Sequence, residues 1–213
     1  MMGRTGRAAL AAAAIAAAGA LAGGCAAAPS DGSSSVSLFG GSVTVGAIPA
    51  TLEEFTAFRD EVATSPAGGA AAFVVAQYLY TQDEALGLAC LTVALDRSLL
   101  VEGAQGTAGL QPSNPEIQRF RERVGRQPHI ASSYFQGASP QSGYALPAPP
   151  LTIKLKRGQR TSGGRKVFVY STGADSPRPI VLKENDRGLW KAYEWSSLTV
   201  GVRKPVVATD DDL

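Results

Sequence analysis

The stretch that most constrains the fold is residues 166–202, which hold the densest strand signals of the chain and both of its tryptophans. Apolar and aromatic residues alternate over 167–170, the period-two pattern of a strand with both faces covered. The Gly, Asp, Ser and Pro residues of 172–179 are typical of a chain reversal. We therefore predict a short antiparallel meander in this region.

Further strands are predicted on the same grounds. The segment 185–188 is a tight reversal because its Gly188 can adopt a positive φ, and the polar segment 157–165 is predicted as a hairpin loop. Alternation of Leu198, Val200 and Val202 predicts a last strand. The predicted strands outside 167–170 cover 151–156, 180–183, 189–194 and 198–202.

The first half of the chain is predicted to be helical. Thr51 and Glu54 form a capping-box pattern that begins a helix over about 52–63. A helix over 67–80 is apolar nearly all round, which predicts burial. A third helix begins after a second capping pattern at 81–84, and a short amphipathic helix covers 114–124.

This order of helices first and strands last predicts one α+β domain, with N-terminal helices packed on a C-terminal antiparallel β-meander. A chain of 213 residues is long enough for one such domain with a substantial core.

The N-terminus resembles a bacterial export signal. Residues 1–24 contain Arg4 and Arg7, then an apolar run, then small residues up to Cys25. Residues 21–25, Leu-Ala-Gly-Gly-Cys, resemble the lipobox of bacterial lipoproteins, with Ala22 where a larger aliphatic residue is usual. The resemblance implies cleavage before Cys25 and attachment of diacylglycerol (and, with it, palmitate) to its thiol. The alternative is ordinary secretion with an unmodified cysteine.

The predicted domain organisation follows from composition. We expect a lipoprotein signal peptide over 1–24, a flexible Gly/Ser-rich tether over 25–45, the α+β domain over 46–204 and an acidic tail over 205–213. The alternative for residues 36–45 is an edge strand.

The overall charge is close to balanced. Loss of Arg4 and Arg7 with the leader lowers the 20 basic residues to 18, equal to the 18 acidic residues. This balance gives no electrostatic argument for binding nucleic acid, nor for binding anionic lipid beyond the anchor.

No pattern predicts catalytic residues, a metal site or a cofactor. One histidine, His129, is too few for a zinc or copper site, and the acidic tail lacks calcium-loop spacing. Cys90 lies in an apolar run and is predicted to be a buried small side chain. An envelope hydrolase remains an alternative, with His129, Asp175 and a serine converging in a cleft.

The segment 129–150 is predicted to be a long irregular loop, and loops of this length are often functional. Together with the turn at 172–179 and the adjacent sheet, it is the predicted binding surface. The residues of this predicted surface are Tyr134, Phe135, Tyr144, Asp175, Arg178 and Trp195. The alternatives are a core position for Trp195, and a turn in which Asp175 caps the backbone and Arg178 donates to nearby carbonyl groups.

Four sequence segments together resemble an uncharacterised family of bacterial exported and surface-lipoprotein domains. They are SSYFQG at 132–137, SGYALPAPP at 142–150, STGADSPRPIVLK at 171–183 and GLWKAYEWSSLTVGV at 188–202. The resemblance covers about residues 51–203. It implies export and offers no catalytic or ligand-binding residues.

These observations predict a lipid-anchored protein of the cell envelope, on the bacterial cell surface or the periplasmic side, that acts as a non-catalytic binding or structural module. Its expected partners are the membrane, through Cys25, and an envelope protein or wall component, with no nucleic acid. Besides the hydrolase, a small-ligand domain is an alternative. It would be a helix-and-curved-sheet cone resembling nuclear-transport-factor-like domains, with a pocket between helices and sheet.

Overall fold

The fold comes from a computed structural model, which describes residues 35–37 and 41–206. The five helices of this part are α1 (Leu52–Val62), α2 (Pro66–Gln82), α3 (Glu84–Ala94), α4 (Asn114–Arg119) and α5 (His129–Ser132). Its strands are β1 (Ser35–Ser37), β2 (Ser42–Val45), β3 (Leu100–Thr107), β4 (Leu110–Pro112), β5 (Leu151–Thr161), β6 (Gly164–Val169), β7 (Arg178–Glu184) and β8 (Trp190–Glu194). The predicted signal peptide, the lipid site at Cys25 and tail residues 207–213 lie outside the described residues.

Side-chain caps begin the three long helices. Thr51 Oγ1 accepts a hydrogen bond from the backbone N–H of Glu54 at 3.2 Å, which confirms the predicted start of α1. Ser65 caps α2 in the same way. Asp83, rather than Thr81, caps α3, because its carboxylate accepts from the N–H of Leu86 at 2.9 Å.

Helix α2 lies at the centre of the core. It is buried on nearly every side, as its sequence predicts, and it packs against α1, α3 and the strands of the large sheet. A Cβ atom at Gly69 would lie 2.8 Å from both Leu182 Cδ2 and Trp190 Cβ, so only glycine fits where α2 meets the sheet. The backbone of α2 therefore contacts the sheet directly, which leaves no space for a ligand pocket at this point.

The large sheet has six antiparallel strands in the order β1-β2-β5-β6-β7-β8. Alternate residues of its strands, such as Ile153, Val169 and Leu182, are fully buried beneath the helices. The α+β architecture, with helices first and a curled antiparallel sheet last, confirms the predicted fold class.

The predicted tether over 25–45 is too long at its C-terminal end. Residues 42–45 form β2, which pairs with β5 from Ser42 opposite Lys154 to Val45 opposite Leu151. Val43 and Val45 are fully buried, so this strand contributes to the core. The alternative of a strand within 36–45 is therefore correct, because two valines alternating with Ser and Thr bury one face of the strand. This strand is not at the edge of the sheet, since β2 lies between β1 and β5.

Two predictions in the sheet are also wrong. The polar segment 157–165 is not a loop, since β5 continues to Thr161 and β6 begins at Gly164. The predicted strand 198–202 is absent, and a 3-10 helix covers Ser196–Thr199. Its buried Leu198 carbonyl accepts hydrogen bonds from Gln77 Nε2 at 3.2 Å and from the Tyr134 hydroxyl at 2.9 Å, so side chains replace a strand partner.

The strands β3 and β4 were not predicted from the sequence. Strands β3 and β4 form a separate two-stranded sheet that packs on α3. The predicted helix 114–124 is α4 followed by a π-helix over Phe120–Gly125. The Phe120 ring stacks on Trp195 with centroids 4.3 Å apart, which places this helix against the core.

Candidate functional site

The most distinctive surface of the described chain is the cationic hairpin, which we define as residues 151–169, comprising β5, β6 and the turn between them. It contains no Asp or Glu, although the mature chain is predicted to be balanced in charge. Its six basic residues are Lys154, Lys156, Arg157, Arg160, Arg165 and Lys166.

Strand alternation places part of this charge on the outer side of the sheet. Leu151, Ile153 and Leu155 are buried, whereas Lys154 and Lys156 are exposed on the opposite face. The strand pattern that builds the core thus also gathers cations on the side away from the helices.

The geometry of the turn allows the two charged strands to stay paired to their ends. Thr161 pairs with Gly164, whose φ of +141° favours glycine. A side chain at Gly164 would also collide with the Leu182 carbonyl oxygen on the neighbouring strand β7. Only Ser162 and Gly163 separate the two strands, so Arg160 and Arg165 are Cα partners across the hairpin.

None of the six basic side chains forms an ion pair or a side-chain hydrogen bond within residues 35–37 and 41–206. On the neighbouring strands, Lys183 Nζ lies 3.2 Å from the ring centroid of Tyr193 instead of against a carboxylate. A cluster of like charges without acidic partners creates a positive potential that attracts anions.

An open depression of about 620 Å³ lies beside the hairpin. Lys154, Lys156 and Tyr170 contribute to its lining. The Tyr170 backbone N–H donates to the Lys154 carbonyl oxygen at 2.9 Å, which holds the tyrosine beside the two lysines. Phe168 lies opposite Lys156 across the strand pair. This combination of ammonium groups, a phenol and an aromatic ring suits an anionic ligand with an apolar part.

The predicted binding surface around segment 129–150 is wrong for its four aromatic residues. Tyr134 and Phe135 are fully buried, and Tyr144 and Trp195 are 3% and 2% exposed. Tyr134 donates to the Leu198 carbonyl, and Tyr144 donates to the Arg203 carbonyl at 2.6 Å. Tyr134, Phe135 and Tyr144 are buried because segment 129–150 folds inward through α5 and a 3-10 turn at Pro140–Ser142. Trp195 follows β8 and is buried against Phe120, so none of the four can line a surface groove.

The two polar residues of that predicted surface hold the C-terminal segment in place. Asp175 forms an ion pair with Arg203, and Arg178 donates to the Gly201 carbonyl oxygen. The Arg203 N–H donates to the Gly173 carbonyl at 2.9 Å, which adds a backbone contact to the same turn. Val206 donates to the Pro140 carbonyl, so order extends two residues beyond the predicted domain end at residue 204.

His129, Asp175 and a serine do not form a hydrolase triad in the described residues. Nε2 of His129 is buried without a hydrogen-bond partner, and its ring packs beside Tyr144 at 5.4 Å. Burial and the charge of Lys204 lower the pKa of His129. Asp175 pairs with Arg203 instead of orienting the imidazole, so the base and its orienting group are not connected.

Two buried side chains, Cys90 and Lys191, carry a thiol and an amine. Burial raises the pKa of the Cys90 thiol to about 12, which keeps it protonated and unreactive at neutral pH. Burial, with the nearby charges of Arg59 and Arg187, lowers the pKa of Lys191 to about 8. Lys191 Nζ donates to the Val93 carbonyl oxygen, which places the amine between β8 and the end of α3.

The part of the chain that the structure describes has neither a metal-binding cluster nor a helix that could span a membrane. No group of three His, Cys, Asp or Glu side chains there is arranged to hold a metal ion. No helix of that part has the length and apolar character needed to cross a bilayer.

A family comparison matches residues 47–206 to a domain of unknown function, DUF6935. This protein belongs to the DUF6935 family. The match covers the helices and most of the sheet, and it agrees with the predicted membership of an uncharacterised domain family. No curated protein and no solved structure matches the chain.

The charge balance of the whole chain gives no indication of the cationic hairpin of this DUF6935 domain. A count by segment finds it, since residues 151–169 carry six basic residues and no acidic one. The depression beside it depends on the pairing of β5 with β6 and on the approach of residue 136, so no sequence pattern indicates it.

Proposed function

We propose that this DUF6935 protein is a lipid-anchored protein of the bacterial cell envelope that acts as a non-catalytic binding module, with the cationic hairpin as its binding surface. The observation that carries the proposal is the segregation in one hairpin of six basic residues that have no ion-pair partner in the described part of the chain. Charge gathered in one hairpin favours an anionic partner even when the net charge of the chain is near zero. A net charge near zero therefore does not exclude an anionic partner for this surface.

The proposed anchor rests on the order of features at the N-terminus. Arg4 and Arg7 precede an apolar run that ends in small residues before Cys25. Two acyl chains on one cysteine bind a bilayer stably, whereas one chain binds only marginally. Nucleic acid is not a proposed partner, because export would separate the protein from the nucleic acids of the cell.

Mass spectrometry of the mature N-terminal peptide tests the anchor. We expect a chain that begins at Cys25 and carries a diacylglyceryl group, and we expect a Cys25→Ser chain to lack it. An N-terminal peptide with an unmodified Cys25 would instead support ordinary secretion.

Binding of inorganic polyphosphate tests the surface, with two variants of equal charge change. The hairpin variant combines Lys154→Gln, Lys156→Gln and Lys166→Gln, three cations that strand alternation places on the outer face. The control variant combines Arg123→Gln, Arg126→Gln and Lys204→Gln, all of which are exposed and unpaired within residues 41–206.

We expect the hairpin variant to bind polyphosphate roughly 100-fold more weakly than the native chain, from about fivefold per basic residue. The control variant should lose far less. Equal losses in the two variants would show that the hairpin is not the binding surface, provided that thermal unfolding confirms both folds.

A further inference from the structure

The position of the N-terminal strands limits how far the cationic hairpin can lie from the anchor. Ser35, at the start of β1, is ten positions beyond Cys25 in the sequence, and ten residues of chain span about 35 Å at most. β1 is an edge strand, separated from β5 by β2 alone. Since neighbouring strands are about 4.8 Å apart, the hairpin is within reach of the lipid surface to which Cys25 would be attached.

The chemistry of the hairpin fits that lipid surface. Tyr170 is 39% exposed on the outer side of the sheet and lies beside Lys154 and Lys156. Tyrosine rings are enriched at the membrane interface, where the ring contacts acyl chains and the hydroxyl contacts headgroups. Lysine ammonium groups attract the phosphodiester of anionic lipids.

We infer that the cationic hairpin lies against the anionic phospholipid headgroups of the membrane that holds Cys25, with a headgroup phosphodiester in the depression lined by Lys154, Lys156 and Tyr170. This inference rests on the proposed function and names its partner. The occupant is a lipid headgroup because the anchor holds the hairpin at a high effective concentration of lipid. A free polymer would gain nothing from that attachment.

Vesicle binding by the full mature chain with Cys25→Ser tests the inference, because the acyl chains are then absent. Vesicles of phosphatidylcholine with about 30% phosphatidylglycerol are compared with pure phosphatidylcholine by cosedimentation. The hairpin variant and the control variant are made in the same Cys25→Ser chain, and inorganic polyphosphate binding is measured in parallel. Thermal unfolding confirms that each chain is folded.

We expect binding to the anionic vesicles and none to pure phosphatidylcholine. The hairpin variant should bind roughly 100-fold more weakly, from about fivefold per basic residue. The control variant should bind like the parent. Lys154→Gln, combined with Tyr170→Ala, should weaken binding to vesicles more than binding to polyphosphate, because only lipid offers the tyrosine an apolar contact.

Three outcomes would overturn the inference, and they separate it from the proposed function. Binding to polyphosphate without binding to anionic vesicles would reject the lipid headgroup as the partner. The proposed function would stand, with an anionic partner of another kind, such as a wall polymer. Binding to neither polyphosphate nor anionic vesicles would also reject the hairpin as a binding surface. Equal loss of vesicle binding in the hairpin and control variants shows general charge attraction and no hairpin site.

A dye attached to a single thiol shows which face of the domain contacts the vesicle, independently of the binding affinity. Cys90 is buried, so Gln159→Cys on the exposed part of the hairpin provides the reactive thiol of the Cys25→Ser chain. A polarity-sensitive dye there should shift its emission on anionic vesicles, whereas the same dye at Glu102→Cys on β3 should not. A shift at residue 102 alone would place the membrane on the wrong face.

Discussion

Lys191 is a charged side chain that the fold buries at a cost in free energy. It is 8% exposed, and it lies near the cationic groups of Arg59 and Arg187 as well as Asp60. Because burial and these cations disfavour the ammonium form, the pKa is lowered from 10.5 to about 8. The unfolded chain therefore holds more protons than the folded chain between these two pH values.

We predict that Lys191→Met changes the pH dependence of stability. For a lowered lysine pKa, the contribution to the free energy of unfolding rises as pH increases from about 8 to about 10.5, and it is constant below that window. From pH 7 to pH 10 the native chain should gain about 2–3 kcal/mol relative to the variant, measured by urea unfolding. Lys204→Met, at an exposed site, is the control, and parallel profiles for native chain and Lys191→Met would refute the assignment.

A substitution at Tyr134 tests whether this side chain belongs to the core and not to a binding surface. Its hydroxyl shares the Leu198 carbonyl with Gln77 Nε2, so removing it leaves one donor in place. We predict that Tyr134→Phe lowers the free energy of unfolding by about 1 kcal/mol, the usual net value of one buried hydrogen bond. Tyr170→Phe removes a hydroxyl from an exposed ring and should change stability by less than about 0.5 kcal/mol. Equal effects in thermal unfolding would argue against a core role for Tyr134.

Among the elements, the contact of α2 with the sheet depends on Gly69. A methyl group there would press against Leu182, Trp190 and the Trp190 carbonyl oxygen. Trp190 also donates its N–H at 2.8 Å to the carbonyl of Ala63, the residue that ends α1, and this hydrogen bond holds β8 in place. Neither side of this contact can move without breaking backbone interactions.

We predict that Gly69→Ala destabilises the fold by about 2 kcal/mol, because overpacking outweighs the roughly 1 kcal/mol that alanine gains in a helix. The same change at Gly125 meets atoms no closer than 3.7 Å and serves as the control. Chemical unfolding of both variants measures the difference. A Gly69→Ala chain as stable as the control would mean that α2 can shift on the sheet.

Local signals predicted the helices well because caps and apolar periodicity act within a few residues. Thr51 and Ser65 cap α1 and α2 where the sequence indicates. The β5–β6 hairpin was underestimated because Arg157 and its neighbours are polar on both faces, and their strand is held by pairing with β6. Leu198 was misassigned since its carbonyl is satisfied by side chains more than 60 residues away.

Over the whole molecule, burial decides which aromatic residues are available to a partner. Tyr134 and Trp195 are in the core, whereas Tyr170 is exposed beside the lysines of β5. No local pattern separates these cases, because all three lie in segments with similar aromatic and turn residues. Charge is different, since six basic residues within one hairpin are visible in the sequence when counted by segment.

The proposed attachment joins a lipid anchor to a cationic surface, and salt separates the two contributions. Electrostatic attraction weakens as the screening length falls from about 10 Å at 0.1 M salt to about 3 Å at 1 M, whereas acyl insertion persists. We therefore predict that washing cell membranes with 1 M salt releases the Cys25→Ser chain but retains the native chain. Cys25→Ser combined with the hairpin variant should be soluble already at 0.1 M.

The distribution of the chain between membrane and soluble fractions measures this prediction, with mass spectrometry to confirm that the leader has been removed from each variant. Cys25→Ser with the control variant should behave like Cys25→Ser alone, because its hairpin keeps all six cations. A Cys25→Ser chain that resists 1 M salt would point to an attachment other than charge. One that is soluble at 0.1 M would leave the acyl chains as the whole attachment, since the hairpin would then add no measurable affinity for the bilayer.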